Sequence, residues 1–237
     1  MASDPTPDLI PYLDGAKALH IGASPRIAVE HIGDGPLVVF LHGIGGDRST
    51  WAHQMAAFAA NGYCAAAWDT RGYGDSDDYD GALSFTDIAD DLARVLDAFA
   101  VNTAHIVGTS MGGRISLEFY ANHPDRFATL TLAGVHASFG SFSPEKQRAF
   151  VAARSKPLIE DGLEPADIAP GAIGRLVGPN ASEDARTRAI AAASRLHKQS
   201  YIKTVEATTQ FDREHVLAEI AVPTLVIGGE FDPLTPP

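Results

Sequence analysis

Ala104-His105-Ile106-Val107-Gly108-Thr109-Ser110-Met111-Gly112-Gly113-Arg114 is the stretch on which the fold turns. Residues 104–107 form a short apolar run of the kind that becomes a buried strand. Residues 111–122 then carry a helical pattern. Between them stands a serine with glycine two positions away on either side, the G-x-S-x-G pattern in its strand–turn–helix setting. A turn this sharp strains the serine backbone, and side chains at 108 and 112 would collide across it. It also lifts the Ser110 hydroxyl into the open. The serine then opens a helix, whose first N–H groups lack partners and favour negative charge.

Outward from this turn the same alternation repeats. Ile27–Ile32 reads as a strand, and Gly33-Asp34-Gly35-Pro36 as a turn. Leu37–Leu41 is uninterruptedly apolar, as a strand buried on both faces should be. A further run spans 63–68. Ser84 with Asp87 three residues on makes a helix start of capping-box type. Ile88, Leu92, Val95, Leu96 and Phe99 then fall on one helix face. Residues 129–133 are strand-like again. Strands alternating with helices predict an α/β fold, a mostly parallel, doubly wound sheet covered on both faces.

The pattern changes near Ser138. Residues 138–209 carry little strand signal, and stretches such as 181–197 look helical, broken by Pro157, Pro165, Pro170 and Pro179. Strand character returns at 222–227. The expectation is one α/β core, 1–137 and 210–237, interrupted by a helical cap over 138–209.

Two further motifs bear on chemistry. His42-Gly43-Ile44-Gly45-Gly46 directly follows the apolar strand 37–41. Acyl transfer develops a negative oxygen that two backbone N–H donors can hold. The candidates are Met111, just after the serine, and Ile44 in this loop. His42 is better read as fixing the loop than as a base. The second motif is Gly228-Gly229-Glu230-Phe231-Asp232-Pro233-Leu234-Thr235-Pro236-Pro237, after the last strand. Asp232 stands where sheet proteins of this kind place their sites, and a carboxylate there can orient a histidine and stabilise its charged form.

These motifs, with Asp69-Thr70-Arg71-Gly72-Tyr73-Gly74-Asp75-Ser76, resemble the α/β-hydrolase superfamily along nearly the whole chain. The order Ser110 then Asp232 is similar to that family's Ser, Asp, His order, and the helical insertion to its cap. Gly108–Gly113 and the segment from Asp232 to Pro237 look most like 3-oxoadipate enol-lactonases and related esterases. That resemblance implies opening of a small ester or lactone by water, with no cofactor. In the family the triad histidine follows the acid by some tens of residues, so it is expected beyond residue 237. Of the nine histidines present, His136 follows strand 129–133 and should sit near the mouth of the site. Trp51, Arg114, His136, Phe139 and Phe142 are the expected pocket residues. Arg114 could serve an acidic substrate or a surface salt bridge.

Bulk properties narrow the class. The net charge of −12 and the absence of basic patches argue against nucleic acid. The polar start at 1–5 has no signal-peptide plan, and no run is long enough to span a membrane. A single cysteine, Cys64 in an apolar run, makes no internal disulfide and points to the cytoplasm. No metal-ligand spacing or dinucleotide fingerprint occurs. Three readings stay open: an ester or lactone hydrolase; another enzyme on the same scaffold, cleaving a carbon–carbon bond or acting as a cofactor-free dioxygenase; and a hydrolase-like binding protein. Ser110 in place of Asp at the turn disfavours haloalkane dehalogenation.

Overall fold

The computed structural model describes residues 12–139 and 142–236. The polar start at 1–5 and Pro237, both used above, lie outside the described residues. Seven strands form one sheet: β1 (Lys17–Ile21), β2 (Ile27–Ile32), β3 (Leu37–Leu41), β4 (Cys64–Trp68), β5 (Ala104–Thr109), β6 (Phe127–Ala133) and β7 (Thr224–Ile227). Their spatial order is β1-β2-β4-β3-β5-β6-β7. The first two strands join antiparallel, and β4, β3, β5, β6 and β7 run parallel. The mostly parallel sheet expected from the sequence is therefore present, with an antiparallel edge at its start.

Helices cover both faces, and β3 shows why its run is apolar throughout. Val39 and Leu41 pack into the cluster that holds Ile88, Leu92, Val95 and Leu96 of α2 (Phe85–Ala98) and Ile115, Leu117 and Phe119 of α3 (Met111–Asn122). Val38 and Phe40 point the other way, against Met55 and Phe58 of α1 (Ala52–Ala60). Successive side chains of a strand face opposite sides, so a two-faced sheet needs apolar residues at every position. Burying each such side chain contributes about 1.5–3 kcal/mol. Helix α2 starts where its sequence says: the Ser84 hydroxyl accepts from the Asp87 N–H at 3.2 Å.

The chain leaves the sheet after β6 and returns for β7. Between them lie α4 (Pro144–Ile159), α5 (Pro165–Gly174), α6 (Glu183–Ser194) and α7 (Lys198–Gln210). The neck of this insertion is closed by an antiparallel bridge, Ser138 to Asp212, with Phe139 N–H donating to Phe211 O and Arg213 N–H to Ala137 O. Two prolines read as breakers are inside helices instead: Pro157 in α4 and Pro170 in α5. Pro157 falls within the last three residues of α4, where little helix remains to be disrupted. Pro165 does act as a boundary, at the first position of α5.

The insertion carries its own small cores. One joins Leu158, Tyr201, Ile202 and Val205, and the other pairs α5 with α6 through Ala169, Ile173 and Ala193. Its hold on the sheet domain is partly polar. Arg195 gives two bonds to Asp47, and the Ser200 hydroxyl donates to Asp78 at 2.7 Å. Apolar contacts add to it: Ile44 and Leu196 each pack against both the main core and the cap core, and Ala207 of α7 against the main core.

Candidate active site

Ser110 is the end of β5 and the cap of α3, and the chain reverses on this one residue. Its φ is +51° and ψ −110°, a conformation that L residues avoid. Such strain costs on the order of 1–3 kcal/mol and persists only where the surroundings impose it. They do: Ser110 N–H donates to Ala133 O of β6 at 3.0 Å, and Ser110 O accepts from Gly113 and Arg114 N–H. A Cβ on Gly108 would lie 2.5 Å from the Gly112 carbonyl carbon, and one on Gly112 only 2.1 Å from Leu41 O. The two glycines are thus what lets strand, turn and helix close on each other. Ser110 itself is half-buried.

The 42–46 loop is a tight turn, with Gly46 N–H donating to Gly43 O at 3.0 Å, so Ile44 and Gly45 occupy its centre. It lies against the serine: a Cβ on Gly43 would meet Ser110 Cβ at 3.5 Å. His42 is fully buried beneath it. One ring nitrogen, Nε2, accepts from Thr70 N–H at 3.0 Å, which leaves Nδ1 to donate to Gly43 O at 2.8 Å. That is a neutral imidazole with both nitrogens in use. Burial pushes its pKa down, against the pull of Asp69. His42 therefore ties the turn to the 69–76 loop. That loop is itself pinned by Asp69, which accepts from the backbone N–H groups of Arg48 and Asp75 and pairs with the Arg48 guanidinium.

Asp232 sits in the turn after β7, half-buried. Its Oδ1 accepts from the Leu234 and Thr235 N–H groups at 2.8 and 3.0 Å, and its Oδ2 from the Thr235 hydroxyl at 2.5 Å. Partial burial pushes this carboxyl up. The three bonds, with His136 nearby, outweigh that and hold it below the usual carboxylate range. Gly134, just past β6, has φ +57°, and a Cβ there would come within 3.2 Å of Asp232 Oδ2. The ends of β5, β6 and β7 thus bring the Ser110 and Asp232 turns to one rim of the sheet. Gly134 and Thr235 were not singled out from the sequence. A glycine directly after a strand and a threonine three residues past an aspartate were the available signals.

Four of the five expected pocket residues, Arg114, His136, Phe139 and Phe142, cluster together, and Trp51 stands apart. Trp51 packs its ring on Phe40, 5.1 Å between centroids, in the core cluster beside α1. Arg114 is buried, donates to His136 O at 3.2 Å and lies over the Phe139 ring. Burial, with Arg154 nearby, pulls it down to about 10. Phe139 and Phe142 stack on each other at 4.8 Å, and Phe142 meets the His136 ring edge-on. His136 lines a cavity of about 360 Å³ with Leu132 and Val226. The larger cavity beside the 42–46 turn, about 790 Å³, has other walls: Ile44 and Gly45 on one side, Pro233 and Leu234 on another, and Arg154 and Tyr201 from the cap. The five expected residues lie outside its wall because the cap, whose faces periodicity did not resolve, supplies most of it.

Among the described residues no cluster of His, Cys, Asp and Glu is arranged to hold a metal ion, and no helix is long and apolar enough to cross a membrane.

Comparison with known proteins agrees with this fold. Residues 36–237 match the family model of the alpha/beta hydrolase fold. The chain is 28% identical over 203 residues to 3-oxoadipate enol-lactonase 1 of Acinetobacter baylyi, covering 84% of this chain and 73% of that protein. It is 30% identical over 227 residues to a 2-hydroxy-6-oxononadienedioate/2-hydroxy-6-oxononatrienedioate hydrolase of Burkholderia vietnamiensis, covering 91% and 77%. The solved structure of a thermophilic esterase from Thermogutta terrifontis superposes with a TM-score of 0.81 at 25% identity, covering 94% of this chain and 83% of that one. With its strained serine turn and mostly parallel sheet, the chain belongs to the α/β hydrolase fold family, and it is a hydrolase resembling 3-oxoadipate enol-lactonase.

Proposed function

We propose that this hydrolase cleaves a carboxylic ester or lactone of a small molecule through an acyl-enzyme on Ser110. The observation that carries the reading is the Ser110 backbone itself, held at φ +51° at the start of α3 and against the 43–46 turn. A fold tolerates such strain where it positions a reacting group. Similarity to an enol-lactonase and to an esterase supports the choice of bond.

In this reading Ser110 Oγ attacks the substrate carbonyl carbon while an imidazole takes its proton. The carbonyl oxygen becomes an oxyanion held by the N–H groups of Ile44 and Met111. The C–O bond to the leaving group breaks as the imidazolium returns the proton to it. Water then attacks the acyl-enzyme by the same route, and Ser110 is regenerated. Asp232 orients the imidazole, and its acceptor bonds keep it ionised for that role. The imidazole is that of the histidine which completes the Ser, Asp, His order. No cofactor takes part. The substrate is a small molecule rather than a nucleic acid or a membrane lipid, and the setting is the cytoplasm.

The test is labelling by a fluorophosphonate probe and turnover of a short-chain aryl ester by the natural protein. Ser110→Ala is expected to abolish labelling and lower kcat by at least about a thousandfold. Equal turnover in the variant refutes the reading. A carbon–carbon bond hydrolase is the second reading, favoured by the similarity to the Burkholderia enzyme. Turnover of a ring-cleavage diketone faster than of aryl esters and enol-lactones would select it.

A further inference from the structure

The 42–46 turn runs into a buried acid that the cap neutralises. Asp47 follows Gly46 and caps the single helical turn 48–51. Its Oδ1 accepts from the Ser49 N–H at 3.0 Å and from the Ser49 hydroxyl, and its backbone O from the Thr50 N–H and hydroxyl at 3.2 and 2.7 Å. Its Oδ2 is taken by Arg195, the residue that ends α6. Arg195 donates to it from Nε at 3.1 Å and from Nη2 at 2.6 Å, and Nη2 also donates to the Ser49 hydroxyl at 2.9 Å. Among the described residues no other cation lies within ion-pair distance of Asp47.

The surroundings make that cation necessary. Glu30, Asp69 and Asp75 all pair with Arg48, the residue after Asp47. Burial raises the Asp69 carboxyl, Arg48 draws it back down and Asp47 raises it again, so the two acids stand close enough to repel. Four acids thus share two guanidiniums, and the Tyr12 ring faces both, at 4.7 and 5.1 Å. Arg48 belongs to the sheet domain and Arg195 to the cap. The charge of the whole chain divides the same way: residues 144–210 hold ten basic and eight acidic residues, and the rest of the chain eight and twenty-two. Breaking a buried pair from one side leaves the other charge uncompensated, which costs more than the pair contributes. Asp47 would then turn toward water, and Gly45 and Gly46 before it offer little resistance to that movement.

We propose that Arg195 is a positioning residue for the oxyanion turn: by compensating Asp47 it fixes the backbone that carries the Ile44 N–H, so the turn takes its working shape only with the α6–α7 corner of the cap seated. This rests on the ester or lactone reading for what the turn holds, while the coupling of Arg195 to the turn stands on the Asp47 contacts alone. Arg195 touches no reacting atom. It gives the cap a task besides walling the cavity, because a cap that lifts takes the Asp47 cation with it and relaxes the oxyanion donor.

The experiment reads the turn directly, through hydrogen exchange of the Gly46 N–H that donates to Gly43 O. In the natural protein, Arg195→Met is expected to raise this rate on the order of tenfold, and Arg195→Lys, which keeps the charge but not the fork of donors, about threefold. Asp184→Asn breaks another contact of α6, with His53 at 3.3 Å, and should leave Gly46 unchanged within about twofold. Asp47→Asn combined with Arg195→Met removes the charge together with its cation, and should exchange more slowly than Arg195→Met alone. In turnover of a short-chain aryl ester, Arg195→Met should lower kcat on the order of tenfold with KM within about threefold, and Arg195→Lys should recover part of the loss. An unchanged Gly46 rate in Arg195→Met, or an equal rise in Asp184→Asn, overturns the proposal. So does a lowered urea midpoint with kcat unchanged, the mark of a merely structural contact. If Arg195→Met does not fold, Arg195→Lys and Asp47→Asn decide by the same readings, and no change in either overturns it. Failure of the ester reading shows separately, as no turnover by the parent protein, and leaves the exchange result to decide on Arg195.

Discussion

Replacing Gly112 by alanine tests whether the serine turn is held by close backbone approach. The added Cβ would lie 2.1 Å from Leu41 O and 2.8 Å from Leu41 Cβ, where ordinary contact begins near 3.4 Å. Relief requires more than an ångström of movement. Leu41 is the last residue of β3, paired in register with Gly108, so neither partner can move alone. Overpacking of this kind costs about 1–3 kcal/mol, and more where backbone must shift. The opposing effect is the better helix propensity of alanine, about 1 kcal/mol in a helix interior and less in the first turn. The clash wins, and a net loss of about 2 kcal/mol or more is expected. At this chain size that lowers Tm by roughly 4–8 °C. Two glycines of the neighbouring turn are internal controls. A Cβ on Gly45 meets nothing within 4 Å, and one on Gly43 meets Ser110 Cβ at an ordinary 3.5 Å. Gly45→Ala should be neutral or stabilising by up to about 1 kcal/mol, with Gly43→Ala between the extremes. Urea midpoints for the three variants at constant m-value give the ranking. If Gly112→Ala unfolds at the same midpoint as Gly45→Ala, the close-approach argument is wrong.

Three further outcomes are expected. Burial holds His42 neutral, so the unfolded chain takes up this proton first. The stability that His42 contributes is therefore fully present above about pH 6.5 and is lost as pH falls toward its lower folded value. His42→Gln should flatten the urea midpoint between pH 7 and 5, and an unchanged slope would contradict this. Thr235→Val removes the hydroxyl bond to Asp232 and should raise that carboxyl toward its usual range. The stability that the depressed Asp232 provides above its unfolded value should shrink accordingly; a carboxyl NMR titration that shows no change counts against it. Ala100 follows α2 at φ +53°, where Val101 N–H donates to Leu96 O in the helix-ending pattern that favours glycine. Ala100→Gly should raise stability by about 0.5–1 kcal/mol, read as a Tm increase of roughly 1–4 °C.

Most of the sheet domain was legible because its local signals agree with its packing. The uninterrupted apolar run of β3, the Ser84 cap of α2 and the glycines beside Ser110 each have one physical explanation. The turn that carries Ser110 was legible for the same reason, since strained turns admit few residue types. The cap was not. Its helices bury short stripes against each other, Ala169 and Ile173 on Ala193, and such small-residue contacts leave little periodic contrast in the sequence. Pro157 and Pro170 added false boundaries. The cavity beside the 42–46 turn inherits that illegibility, because which cap side chains face it depends on how four helices pack.

The bridge between Ser138 and Asp212 has a consequence for how such a protein changes over time. It confines the whole helical segment to one pair of adjacent crossing points on the sheet domain. The strand ends with the Ser110 and Asp232 turns lie on one side of that neck, and the four helices that supply most of the 790 Å³ cavity's wall lie on the other. A lineage can therefore exchange, lengthen or recharge 144–210 and reshape that cavity, while the sheet and its turns stay untouched.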